Sequence, residues 1–118
     1  MHGLGDSGHG WAPVFRDIRG FLPHVKFIFP HASVQPVTLN GGMAMPSWYD
    51  IFTLDKINAK EDREGMLRTI AHVNELITEE IETSKLSSDR IVVAGFSQGA
   101  AMALLTGLTS ERKLAGMV

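Results

Sequence analysis

The sequence predicts an α/β fold, with a mainly parallel sheet and flanking helices. Three observations carry this expectation. Val25-Lys26-Phe27-Ile28-Phe29 and Arg90-Ile91-Val92-Val93-Ala94 are short apolar runs of strand character. Between Glu61 and Ser84, apolar residues recur at spacings of three and four, the mark of an amphipathic helix. The second apolar run passes at once through Gly95-Phe96-Ser97-Gln98-Gly99 into the helical stretch Ala100 to Leu108. Strands that alternate with helices pair in parallel, and their crossover helices cover the faces of the sheet.

Taken in order, the chain opens on Met1-His2-Gly3, which reads like a turn that follows a strand. Gly10 to Gly20 accommodates a short helix. Val25 to Phe29 is β-branched and aromatic and is stopped by Pro30, as expected of a buried strand that ends in a loop. From His31 to Asp50 the chain is rich in Pro, Gly and Asn, with Met43, Met45 and Trp48 interspersed. Irregular chain of that length is uncommon without a function, which suggests a lid. Leu67, Ile70, Val73, Ile77 and Ile81 form the buried stripe of the long helix, a core face in preference to a partner-binding one, with its glutamates and Arg68 turned to water. Leu114 to Val118 reads as the opening of another strand. Both ends pass through sheet elements, so residues 1–118 read as one partial domain, incomplete at both ends.

Composition narrows the function. The chain has 118 residues, a formal charge of −2 and no cysteine. Its basic residues are scattered, which offers no footprint for nucleic acid or an anionic membrane. Without cysteine there is no disulfide, no zinc thiolate site and no thiol nucleophile, and a reducing compartment suits the chain. The expected address is therefore the cytoplasm, with the nucleus also allowed. The first residues form neither a basic n-region nor an apolar h-region, and no apolar stretch approaches the roughly 20 residues of a spanning helix. No transmembrane segment is expected.

The chemistry concentrates at Gly95-x-Ser97-x-Gly99, set between a strand and a helix as in the nucleophile elbow of α/β-hydrolases. A serine that projects above the sheet sits on a strained turn, and a Cβ two positions to either side would collide with the neighbouring strand or helix. Gln98 opens the helix, so its backbone N–H stands at the positive end of the dipole and can meet the oxyanion formed when Ser97 attacks a carbonyl. A second glycine-flanked turn, His2-Gly3-Leu4-Gly5-Asp6, can supply the other donor from the N–H of Leu4.

The same turn also fits the dinucleotide fingerprint Gly3-x-Gly5-x-x-Gly8, but no strand precedes it and Asp6 would face a pyrophosphate. The five histidines all precede Ser97, show no metal-ligand spacing and read mostly as surface or turn residues. In an α/β-hydrolase the acid and then the histidine follow the serine, whereas here only Glu111 does. The catalytic Asp and His are accordingly expected outside these residues, and a borrowed His31 is disfavoured. Met43, Met45 and Trp48, with Tyr49 and Phe52, suit either an apolar groove for an acyl chain or ordinary core; both readings stay open.

Several blocks together resemble one family. His2 to Trp11, Pro30-His31-Ala32, Pro36 to Asn40, Ala44 to Asp50 and Gly95 to Gly99 are similar to the acyl-protein thioesterases, relatives of small carboxylesterases and lysophospholipases. The resemblance runs along nearly the whole chain. It implies an α/β-hydrolase fold, hydrolysis of fatty-acyl thioesters on S-palmitoylated protein cysteines, and some action on lysophospholipids and simple esters. It also implies Ser97 as nucleophile, Leu4 and Gln98 as oxyanion donors, a short β-tongue over Pro36 to Met45 beside the acyl tunnel, and no metal or organic cofactor. Two alternatives accompany it: an esterase or lysophospholipase of the same mechanism, and an inactive acyl-binding or interaction module that lacks the downstream Asp and His.

Overall fold

A computed structural model of the chain describes residues 1–57 and 59–118. Two short helices, α1 (Gly8–Trp11) and α2 (Arg16–Phe21), follow the opening turn. A hairpin of β1 (Val34–Val37) and β2 (Met43–Pro46) comes next, then the long helix α3 (Arg63–Ser84). Strand β3 (Val92–Val93) leads into α4 (Gln98–Thr109), and β4 (Gly116–Met117) closes the order.

The α/β expectation holds. β3 and β4 pair in parallel, Val92 opposite Gly116 and Val93 opposite Met117. The ladder continues as Gly95 N–H donates to Val118 O at 2.9 Å, and on the other edge Phe96 N–H donates to Met1 O at 3.0 Å. The opening residues therefore run beside the segment that leads to Ser97. Two helices close over β3: Val73 and Ile77 of α3, Val93 of β3 and Ala103 of α4 share one buried cluster. A second cluster of Ala32, Trp48, Tyr49 and Met102 joins the end of the hairpin to α4.

α3 begins where Asp62 caps it by accepting the Gly65 N–H at 3.0 Å. The other oxygen of that carboxylate accepts the Asp50 N–H at 2.8 Å, so one side chain fixes both the helix start and the end of the hairpin loop. Ser84 ends the helix, and Lys85 turns the chain away in the left-handed region at φ 57°.

Two expectations change. Val25 to Phe29 pairs in no strand among the described residues, because no ladder is offered to it. Val25 and Ile28 are exposed, while Phe27 and Phe29 fold back on Phe15 at ring distances of 5.3 and 5.6 Å. Lys26 ties this segment to α3 through Glu80 at 2.7 Å, and that pairing, with the Ser84 hydroxyl, holds the Glu80 carboxyl below its ordinary range. The stretch from His31 to Asp50 is not structureless. It contains the antiparallel β1–β2 hairpin, anchored where Asp50 accepts the N–H and hydroxyl of Thr38 at 2.8 and 2.6 Å. This hairpin overlaps the stretch Pro36 to Met45 for which the resemblance implied a short β-tongue.

Candidate active site

Ser97 stands between β3 and α4 with φ 53° and ψ −118°, a backbone conformation that L-residues rarely adopt. The turn is exposed, and the Ser97 side chain makes no hydrogen bond among the described residues. The flanking glycines are needed for close approach. A Cβ on Gly95 would overlap the Gly99 carbonyl at the start of α4, and one on Gly99 would overlap the Met1 and His2 carbonyls of the adjoining segment. Those overlaps are with backbone, which cannot swing aside.

The His2–Asp6 turn lies against this elbow. A Cβ built on Gly3 would stand 3.6 Å from Ser97 Cβ, so Gly3 borders the serine directly. Gly5 adopts φ 78°, Asp6 N–H donates back to Gly3 O at 3.2 Å, and Gly5 N–H donates to Pro46 O at 2.8 Å. The turn is thus closed on itself and tied to β2. The backbone N–H groups of Leu4 and Gln98 donate to no acceptor among the described residues.

Beneath the elbow lies a polar network that the sequence did not reveal. The Gln98 side chain is buried; its Oε1 accepts the Trp48 N–H at 2.9 Å, and its Nε2 donates to Tyr49 O at 2.7 Å and Ser47 Oγ at 2.9 Å. Ser47 Oγ in turn donates to Tyr49 O, and the Thr69 hydroxyl donates to Trp48 O. Trp48 Nε1 donates to His2 O at 2.8 Å, and its ring packs on the His2 imidazole at 4.9 Å. The only sequence signal for this network was polar residues set within apolar blocks.

The expected groove residues separate. Trp48, 4% exposed and bonded to His2, sits in the core. Met43 is 65% exposed on β2. Met45 is half-buried against the opening turn, where its Sδ would meet a Cβ on Gly5 at 3.8 Å. Tyr49 is buried, and that burial, with the nearby Glu61 charge, raises its phenol pKa. Trp11, packed on Phe96 at 5.3 Å, adds an aromatic wall beside Ser97.

His2, within the opening turn, is a buried support. Its Nε2 accepts the Ala32 N–H at 2.9 Å, which leaves the proton on Nδ1 to donate to Gly3 O at 2.7 Å. His31 accepts the Gly8 N–H at 3.1 Å and packs on His9, and no hydrogen bond joins it to Ser97. The Gly3-x-Gly5-x-x-Gly8 stretch opens only the four-residue α1, without the strand and long helix of a dinucleotide site. A cavity of about 170 Å³ is bordered by Trp48, His31, Gln35, Arg68 and His72. A larger open groove, about 730 Å³, runs along α3 past Glu75, Glu79 and Glu111 and includes no residue of the elbow.

A strained serine between a parallel strand and a helix, with glycines demanded on both sides, defines the nucleophile elbow of the α/β-hydrolases. Within that class the chain belongs to the phospholipase/carboxylesterase family, whose model matches residues 1–118. It is 54% identical over 120 residues to acyl-protein thioesterase 1 of Cryptococcus neoformans, covering 100% of this chain and 50% of that protein. To acyl-protein thioesterase 1 of Yarrowia lipolytica it is 50% identical, covering 100% of this chain and 52% of the relative. The chain thus spans about half the length of these relatives. The crystal structure of Arabidopsis thaliana SOBER1 superposes with a TM-score of 0.89 at 32% identity, over 98% of this chain and 56% of the other. Acyl-protein thioesterase 2 of Zea mays matches with a TM-score of 0.68 at 35% identity, over 90% and 42%.

Proposed function

We propose that the full-length protein is an acyl-protein thioesterase that removes fatty acyl groups from S-acylated cysteines of proteins. The observation that carries this reading is the exposed Ser97 on its strained elbow, bordered by the Gly3–Leu4 turn, with the N–H groups of Leu4 and Gln98 unengaged. Identity of about half with named acyl-protein thioesterases supports the substrate class.

In this mechanism Ser97 Oγ attacks the thioester carbonyl carbon while its proton passes to a general base. The carbonyl oxygen becomes an oxyanion, held by the backbone N–H groups of Leu4 and Gln98 at the positive end of α4. The C–S bond breaks, and the cysteine thiolate leaves with the proton returned by the base. Water then attacks the acyl-serine with the same base accepting its proton, releasing the fatty acid and restoring Ser97. A His–Asp pair outside residues 1–118 supplies the base, in keeping with the half-length match. The acyl chain leaves the elbow along Met45 and Trp11, which flank the turn. The cytoplasm is the proposed location, on the absence of cysteine.

Fluorophosphonate labelling of the full-length protein tests the assignment. The wild type is expected to label and the Ser97→Ala variant to lose labelling and turnover together; persistent labelling overturns the role of Ser97. Turnover of a palmitoyl thioester, a lysophospholipid and a short-chain oxyester under one condition then tests the substrate. A higher kcat/KM on the thioester is expected, and preference for either ester would replace this reading with an esterase or lysophospholipase.

A further inference from the structure

The oxyanion hole proposed above draws its two donors from distant parts of the chain. Donors act only when they stand about 2.7–3.1 Å from the developing charge, so the gap between them must be fixed. Resting on that reading, we propose that Gln98, Trp48 and His2 are positioning residues: a buried hydrogen-bonded brace that sets the spacing and aim of the Leu4 and Gln98 N–H groups.

The path is continuous. At one end the Gln98 side chain anchors the first turn of α4 to the Ser47–Tyr49 segment, using its oxygen and both of its hydrogens. Trp48 carries the link onward, its own N–H bonded to Gln98 and its indole N–H to His2 O at 2.8 Å. At the far end His2 Nδ1–H donates to Gly3 O at 2.7 Å. That carbonyl belongs to the same peptide unit as the Leu4 N–H, and a peptide unit is planar. Fixing the oxygen therefore fixes the direction of the N–H on the opposite side. A hydrogen bond to a carbonyl also polarises the attached N–H and strengthens it as a donor.

The tautomer that allows this is set locally, because the Ala32 N–H occupies Nε2 and sends the proton to Nδ1. All three side chains are buried, Trp48 and His2 pack ring on ring, and Ser47 and Thr69 satisfy the remaining polar groups. Such a fully bonded network holds geometry more rigidly than apolar packing alone.

The test uses the full-length protein with Trp48→Phe, which keeps a ring and removes the donor to His2, and Gln98→Met, which keeps the backbone N–H and removes the carboxamide. kcat and KM are measured on one ester. Affinity is measured for a trifluoromethyl ketone, which forms a tetrahedral oxyanion on the serine. Each variant is expected to lose roughly 10- to 100-fold in kcat, with KM within about 2-fold and a matching loss of ketone affinity. Wild-type kcat with wild-type ketone affinity, or a rise in KM alone, overturns the brace. Replacing Trp48 with 3-benzothienylalanine exchanges the indole N–H for sulfur at nearly constant shape, so the comparison stands even where the Phe variant does not fold. Ser97→Ala separates the two layers: turnover that survives it rejects the serine reading itself, whereas turnover lost with it and unchanged in the brace variants rejects only the brace.

Discussion

Ser97 carries a cost that its neighbours impose. At φ 53° a side chain is held where only glycine is comfortable, and such strain is worth about 1–3 kcal/mol. Glycine at this position releases the strain but adds freedom to the unfolded chain, which returns part of the gain. Ser97→Gly is therefore expected to be more stable than Ser97→Ala by about 1 kcal/mol, seen as a rise of roughly 2–4 °C in thermal midpoint at full length, although neither turns over. Equal midpoints for the two would mean that the elbow stores no strain. The elbow itself was legible because its chemistry demands glycine, serine and glycine at fixed spacing. The role of the Gln98 side chain was not, since its partners lie about 50 positions away in sequence and only the fold brings them together. The burial of His2 was hidden for the same reason: nothing near it in sequence announces its Ala32 and Trp48 contacts.

Among the elements, α3 shows where periodicity succeeds and where it misleads. Apolar spacing placed a helix between Glu61 and Ser84, and the observed helix is Arg63–Ser84 with Asp62 as its cap. The buried residues, however, are Gly65, Thr69, Val73 and Ile77, a strict run of four-residue steps along one face. Leu67, assigned to the stripe because it is apolar, is 49% exposed. Thr69 takes a core position because its hydroxyl reaches Trp48 O, and Gly65 does so because a Cβ there would strike Asp62. Hydrophobicity identified the stripe, but tertiary hydrogen bonds set its phase. Leu67→Ala is thus expected to cost below about 1 kcal/mol and Ile77→Ala about 2–4 kcal/mol, measured by denaturant unfolding of the full-length protein. Comparable losses at both positions would place Leu67 in the core after all. Val25 to Phe29 teaches the complementary lesson. Its composition is that of a strand, yet a strand exists only where a neighbour offers a ladder, and a single-sequence reading cannot see whether one is present.

At the scale of the whole molecule the parallel β3–β4 pair and its covering helices were legible. The radius of gyration is 15.0 Å, against roughly 13.5 Å for a closed domain of this length. Val92, Phe96, Leu104, Leu108 and Val118 are exposed along β3, α4 and the end of the sheet, with Leu108 at 75%. An open sheet edge beside so much apolar surface favours association with more chain. The relatives are about twice as long, so the reading that follows is that further residues cover this face in the full-length protein. Residues 1–118 produced alone are then expected to bind a hydrophobic dye such as ANS and to melt broadly or aggregate, whereas the full-length protein melts in one cooperative step with little dye bound. Residues 1–118 contain Ser97 and both proposed oxyanion donors, so fluorophosphonate labelling of them tests the proposal that the general base lies elsewhere: labelling slower by several orders of magnitude than at full length is expected. A fragment that melts sharply, binds no dye and labels at the full-length rate would instead establish residues 1–118 as a self-sufficient unit whose serine is activated from within.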